Sequence, residues 1–434
     1  MTPIARSLPG STARHRSPRR SWSGVIALVG GLVAGACLTP TGSYRASSAA
    51  PVVDPWDDEN RVPVLLTQAE GSLSLTLSTA EGDSVEVWRQ GDGVASSEHR
   101  TRRSLRLDLP TGADAWRYRD REYPGELLVE PAAGGGLTVS ALLDLEDYVE
   151  GVVASELVLW SAPDALLEAQ AIAARSYAVA NLDQRAQYGR AYLQDGVLDQ
   201  AFRGRFQPDA ASRSRKLDQR LRDAVRRTRG QVMLAEGRVL DTRFHASCAG
   251  RTADARDVFE HPPSESHTPV VCPPCRDSRL AIERARDAGV SAADEHADLQ
   301  WTHTASPEAL ARMARAAGVG DGLLAFDRAE VDAGGRWLTV ELTGPGGTRT
   351  VPFGELRESL GWNNVRSGVV TASWPSRGAR IPSGLRLDGL GHGHGSGLCQ
   401  RGADRLAEQG WSATRILRWY YADAELGTIG SAIR

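Results

Sequence analysis

Three stretches of this sequence carry residues able to do chemistry. The first ends in Val152-Val153-Ala154-Ser155-Glu156, with Trp160 four residues on. A carboxyl among apolar and small side chains loses hydration, which favours its neutral form. A neutral carboxylic acid held in place donates a proton to a leaving oxygen. The competing reading of Glu156 is a helix cap or a surface group. The second stretch pairs His245-Ala246-Ser247-Cys248 with Cys272-Pro273-Pro274-Cys275. A histidine and three cysteines at these spacings match a structural zinc knuckle built from His245, Cys248, Cys272 and Cys275. Thiolate and imidazole favour zinc over magnesium or calcium. The alternative is disulfide pairing among the same cysteines. His261 and His267 lie inside the loop as spare ligands. The third stretch is Gly391-His392-Gly393-His394-Gly395-Ser396-Gly397-Leu398-Cys399-Gln400. Glycine at every second position brings backbone close to a neighbour, with two histidines and Gln400 at the mouth of a helix. No lysine follows and no βαβ unit surrounds it, so it is neither a P-loop nor a dinucleotide fingerprint.

The elements that must position these residues are legible in part. Val62–Leu66, Ser72–Leu77, Ser84–Trp88, Ser104–Leu109 and Gly125–Val129 read as short strands, giving a β-rich section over residues 61–120. Ser161-Ala162-Pro163-Asp164 reads as a helix start, with Ser161 as N-cap. Leu166, Gln170, Ala173 and Tyr177 then share one stripe, and Asp164, Glu168 and Arg175 fall on the opposite, solvated face. On spacing alone Gln170 is a buried amide bonded to backbone. Residues 204–229 read as an exposed helix or loop, and Gly230–Ala246 as a hairpin around Glu236-Gly237. A helix covers Ser306–Ala317, and strands Trp337–Leu342 and Thr348–Val351. Leu398–Glu408 and Ala413–Tyr421 close the chain as helices, the second capped by Ser412. Strands and helices mix without regular alternation, which predicts an α+β fold.

The chain has 434 residues, 41% hydrophobic and 24% charged, a globular composition. Lys216 is the one lysine among 51 basic residues. Residues 1–36 hold five arginines and no acid, so the net charge of −3 leaves −8 on residues 37–434. An acidic body argues against nucleic acid as a partner. The arginine-rich start and the short apolar run Gly24–Ala36 read as a signal peptide over residues 1–36. Val33-Ala34-Gly35-Ala36-Cys37 resembles a lipobox, which would make Cys37 the acylated first residue of a lipoprotein. Residues 37–60 read as a flexible tether. These segments place the mature protein outside the cytoplasm, as a periplasmic or cell-surface lipoprotein anchored in the membrane.

Taken together, the motifs resemble the stage II sporulation protein D family, also called the amidase-enhancer (LytB-type) family. Leu145-Glu146-Asp147-Tyr148-Val149-Glu150-Gly151 leading to Glu156 looks like its first signature. Ala165-Leu166-Leu167-Glu168-Ala169-Gln170 through Ala178 looks like its central helix. Gln200–Gly204, Ala224–Gly230, His245–Thr252, Gly391–Ala403 and Ile416–Tyr421 follow in the family's order. The resemblance covers about residues 122–430 and defines a domain over 121–430.

What the resemblance implies is a two-lobed domain with a central groove that acts on peptidoglycan glycan strands stripped of stem peptides. Its sporulation members are lytic transglycosylases, and their catalytic glutamate corresponds to Glu156. Gln170, Tyr177, Gln200, His394 and Gln400 match motif positions that imply the glycan groove. Zinc through histidine and cysteine in some members supports zinc here. The alternative function is a non-catalytic peptidoglycan-binding protein that recruits or stimulates a cell-wall amidase. A zinc hydrolase is the poorer reading, because a four-ligand site leaves no open position for water. Glu168 and Leu398-Cys399 depart from the family pattern. Five cysteines cannot all pair; the expected division is one lipidated (Cys37), three on metal and one free thiol (Cys399).

Overall fold

The structure is a computed structural model. It describes residues 61–432 apart from 99–101, 187–191, 197, 208–211, 260–261, 263–266 and 375–383. The signal peptide, Cys37, the tether and His261 lie outside the described residues. Helix and strand make up 33% and 32%, so the fold is mixed α+β with a β-rich N-terminal region, as expected from the sequence.

Nine strands open the described chain: β1 (Arg61–Leu65), β2 (Ser74–Ser78), β3 (Ser84–Gln90), β4 (Gly93–Ser96), β5 (Leu105–Leu107), β6 (Trp116–Tyr118), β7 (Arg121–Tyr123), β8 (Glu126–Pro131) and β9 (Leu137–Asp144). The alternation in β2 buries Leu75 and Leu77 and turns Ser74 and Thr76 to solvent. The strands form two five-stranded sheets, β4-β3-β2-β6-β7 and β10-β1-β9-β8-β5, the latter edged by β10 (Leu193–Gln194). The boundary expected at residue 120 does not separate two bodies. β1 pairs with β9 and β5 with β8, so one sheet draws strands from both sides of it. One hydrophobic core runs from Val62 to Tyr421.

Helix α1 (Leu145–Glu156) follows β9 directly, capped by the Asp144 carboxylate, which accepts from the Glu146 N–H. Helix α2 (Asp164–Ala186) runs through the middle of the core. Its expected N-cap is not Ser161, whose hydroxyl donates instead to the Val158 carbonyl. Leu166, Gln170, Ala173 and Tyr177 are all buried, as the stripe requires. The opposite face departs from expectation at Arg175, which is 0% exposed. Helix α1 packs over it, and the guanidinium grips Glu146 with two bonds and donates to the Gln231 carbonyl. A charge that spacing assigned to solvent is an interhelical clamp.

Helix α3 (Ser212–Arg227) leads to the hairpin of β11 (Gln231–Ala235) and β12 (Arg238–Val239), then to β13 (Phe244–His245). Short α4 (Ala255–Val258) and α5 (Pro273–Asp287) follow. The chain then builds a second hydrophobic core between Trp301 and Leu387, which the periodicity did not separate from the first. It comprises β14 (Gln300–Ala305), α6 (Pro307–Ala316), β15 (Ala325–Val331), β16 (Trp337–Gly344), β17 (Gly347–Pro352), α7 (Phe353–Leu360), β18 (Val369–Trp374) and β19 (Leu385–Leu390). After it, β20 (Leu398–Cys399) returns to pair with β13. Helices α8 (Gln400–Glu408) and α9 (Ala413–Tyr420) and strand β21 (Glu425–Thr428) close the first body. Ser412 caps α9 as expected, accepting from the Arg415 N–H. Among the described residues no helix is long and apolar enough to cross a membrane.

Candidate active site and thiol cluster

Glu156 is the last residue of α1, where the helix stops and its side chain is partly open to solvent. Oε1 accepts from the Ala201 N–H at 2.8 Å, and Oε2 from the Gln400 Nε2 at 3.3 Å. Burial pushes the carboxyl above the usual carboxylate range, and these two hydrogen bonds offset part of that rise. The acid is therefore biased toward holding its proton.

Three amides surround it. Gln400 Nε2 also reaches Gln170 Oε1 at 3.4 Å, so one amide bridges α1 and α2. Gln200 Nε2 donates to the Tyr148 hydroxyl at 3.1 Å and the Ala174 carbonyl at 3.3 Å. Gln170 Nε2 and Gln200 Oε1 are buried and without a protein partner, leaving one donor and one acceptor unused. Tyr177 is buried behind this layer. Its hydroxyl donates to Asp199 at 2.6 Å. Arg185 and the Gln194 N–H hold the same carboxylate. Tyr177 thus supports the loop that presents Ala201 and does not itself face solvent. Sequence reasoning missed Ala201, because a backbone donor leaves no mark in residue type, and Tyr148 and Asp199, whose partners lie in other elements.

The glycine-rich loop has its own scaffold. Gly391, Gly393, Gly395 and Gly397 all take positive φ, which accounts for glycine at alternate positions. At Gly397 a Cβ would overlap the Arg243 carbonyl. His394 was expected in the groove, but both its ring nitrogens serve the backbone. Nε2 donates to the Phe244 carbonyl at 2.8 Å and Nδ1 accepts from the Ser396 N–H at 3.1 Å. No nitrogen is left for a ligand.

The expected metal set is corrected at one position. The Sγ atoms of Cys248, Cys272, Cys275 and Cys399, all buried, lie within 4.8 Å of one another. His245 is not in this group. Its Nδ1 bonds the Ser396 carbonyl at 3.0 Å and its ring packs edge-on to His394. Burial pushes its pKa down to about 3, with Arg336 adding to the fall. Cys399, expected as a free thiol, supplies the fourth sulfur. It is the N-cap of α8, accepting from the Gly402 N–H, and its Sγ is 3.6 Å from that of Cys275. Tetrahedral zinc with bonds of about 2.3 Å sets its sulfurs about 3.8 Å apart, so the four thiols fit that ion. Four sulfurs meeting at one point is not the arrangement of two disulfides.

Gly402 makes room for the cluster. A Cβ there would overlap both the Tyr420 hydroxyl and Cys272 Sγ. Gly402→Ala gains helix propensity of about 1 kcal/mol but overpacks a site with no slack. A net loss of roughly 2 kcal/mol is expected from urea denaturation; an unchanged midpoint would contradict this packing.

One turn on, Asp404 is 4% exposed, and burial with nearby Glu408 pushes its carboxyl up to about 6. In the unfolded chain it titrates near 4. The folded form therefore holds the proton more tightly, and stability falls as pH rises from about 4 to about 6. Asp404→Asn is expected to raise stability by roughly 2 kcal/mol at pH 7.5 and to leave it unchanged at pH 3.5. Equal effects at both pH values would refute the shift.

Comparison with known proteins bears on this geometry. Residues 133–234 match the model of the SpoIID family, described as stage II sporulation protein. Over this segment the chain is similar to the SpoIID/LytB family. It is 26% identical over 305 residues to stage II sporulation protein D of Bacillus amyloliquefaciens, covering 67% of this chain and 76% of that protein. It is 24% identical over 307 residues to an uncharacterized protein of Brachyspira hyodysenteriae, covering 70% and 72%. Over 79 residues it is 37% identical to the amidase enhancer of Bacillus subtilis, covering 18% of this chain and 10% of that one. The SpoIID match spans α1 with Glu156, α2 with Gln170 and Tyr177, and the loop with Gln200 and Ala201. The thiol cluster, Gln400 and the second core lie beyond that segment.

Proposed function

We propose that this SpoIID-like protein acts on the bacterial cell wall as a lytic transglycosylase, cleaving peptidoglycan glycan strands with Glu156 as acid and then base. The observation that carries this reading is an acid on which no second carboxylate acts among the described residues. The groups that set its protonation are burial, the Ala201 N–H and the Gln400 amide, with no second carboxylate among them. Glycoside hydrolysis ordinarily uses two carboxylates. A transglycosylase needs one. Protonated Glu156 gives its proton to the glycosidic oxygen as the bond to C1 of muramic acid breaks. The resulting carboxylate takes the proton of the C6 hydroxyl, whose oxygen closes on C1 as a 1,6-anhydro ring. No water is consumed. The Ala201 N–H fixes Oε1, leaving Oε2 to carry the proton.

Two further proposals belong to this reading. Zinc, held by Cys248, Cys272, Cys275 and Cys399, is a structural ion, since four protein sulfurs close its coordination. Export with an acylated Cys37 puts the enzyme where its polymer lies. The test is digestion of denuded glycan strands by the purified full chain, with mass spectrometry for 1,6-anhydro-muramic ends; their absence overturns the reading. The name of the amidase enhancer favours a second reading, a non-catalytic protein that stimulates a cell-wall amidase. It predicts glycan binding with no new ends.

A further inference from the structure

Two large exposed apolar side chains lie on the two chain segments that the Glu156–Ala201 hydrogen bond joins. Trp160 is 56% exposed and lies four residues after Glu156; Leu198 is 72% exposed and lies three residues before Ala201. Single exposed apolar residues are ordinary on a protein surface. Here one sits on each of the two segments that the bond joins. Apart from Tyr192, the other large exposed hydrophobics, such as Leu73, Trp362 and Trp374, are far from Glu156 and Ala201 in sequence.

Both segments are held firmly. Around Trp160, Leu157, Leu159 and Ala162 are buried, and Ser161 and Ala162 both donate their N–H to the Val158 carbonyl. Arg220 ties the Ala162 carbonyl to Asp164. Trp160 is thus the outward residue of a fixed turn. Around Leu198, Asp195 accepts from Thr67 and Arg121, and Asp199 from Tyr177, Arg185 and the Gln194 N–H. Four chain steps of about 3.8 Å keep Trp160 within about 15 Å of Glu156. A rigid indole presented to water has little rotamer freedom to lose on binding, and its face matches the apolar C–H face of a pyranose ring.

We propose that Trp160, with Leu198, forms the apolar platform on which a pyranose ring of the glycan strand stacks beside Glu156. This rests on the glycan-cleaving reading. Trp160 is a positioning residue: it binds sugar in ground and transition states alike, so it lowers KM and leaves kcat alone.

The test compares Trp160→Ala, Trp160→Tyr and Leu198→Ser in the full chain, on denuded glycan strands. Trp160→Ala is expected to raise KM about tenfold with kcat within about twofold, the worth of one stacked ring. Trp160→Tyr keeps a flat face and stays within about threefold of wild type, while Leu198→Ser raises KM about threefold. In a Glu156→Gln background, which binds without cutting, Trp160→Ala should weaken co-sedimentation with the strands by the same factor. An unchanged KM and unchanged binding in Trp160→Ala overturn the platform while leaving the enzyme reading intact. A wild-type chain that neither binds nor cuts the strands overturns both.

Discussion

Glu156→Gln abolishes formation of 1,6-anhydro ends, with a fall in kcat of about 10³-fold or more, while the thermal midpoint stays within a few degrees. Proton transfer by one placed group is worth roughly 10² to 10⁴ in rate. Here one group both gives and takes the proton, so no second side chain shares the loss. The amide is isosteric and still accepts from the Ala201 N–H, and the Gln400 amide turns to present its oxygen. The variant therefore folds. Glu150 is the control, a second buried acid on α1 whose carboxylate faces Arg222. Glu150→Gln is expected to change kcat less than about twofold. The pH dependence follows from the direction of the shift. Catalysis starts from protonated Glu156, whose pKa burial raises. The rate therefore falls as pH rises through that raised value, with the descending limb above the usual carboxylate range. Equal product from wild type and Glu156→Gln would remove this acid from the reaction.

The parts of this site that were legible in sequence are those set by short-range pattern. The Leu166–Tyr177 stripe buried Gln170 because a helical period needs only side chains three and four apart. Ser412 capped its helix because a cap is a local bond. Long-range geometry was not legible. Cys399 lies 124 residues after Cys275, with the whole second core between them, so spacing offered the nearer His245 as the fourth ligand. The strand pair β13–β20 sets His245 opposite Cys399, which puts both at the site in backbone terms. Only the ring's bond to Ser396 shows that the imidazole turns to the glycine loop instead. Arg175 was misread for a related reason: helical phase tells which face a residue occupies, not which helix covers that face. His394 looked like a ligand because glycine and histidine together suggest a site. Its nitrogens are consumed by the loop that the glycines permit.

Cys399→Ser loses the metal and the native stability together, whereas His245→Gln keeps one zinc per chain. Zinc in a closed sulfur site contributes directly to folding free energy. Removing one of four thiolates is expected to weaken zinc binding by more than about 100-fold, beyond the reach of outer-shell changes. Metal analysis of the purified proteins and thiol titration with and without chelator check this. The wild-type cluster should expose none of its four thiols until chelator is added, then all four; two disulfides would expose none under either condition. Loss of zinc from His245→Gln to the same degree would restore the histidine-containing set. The consequence reaches Glu156 through the chain itself. Cys399 is the N-cap of α8 and Gln400 is its first residue, so the sulfur that would hold the ion and the amide that meets Glu156 Oε2 are on adjacent residues. Chelation frees the start of α8 and lets Gln400 move off the carboxylate. Activity on glycan strands should therefore fall on chelation and return when zinc is added back, the four sulfurs that would hold the ion all being buried.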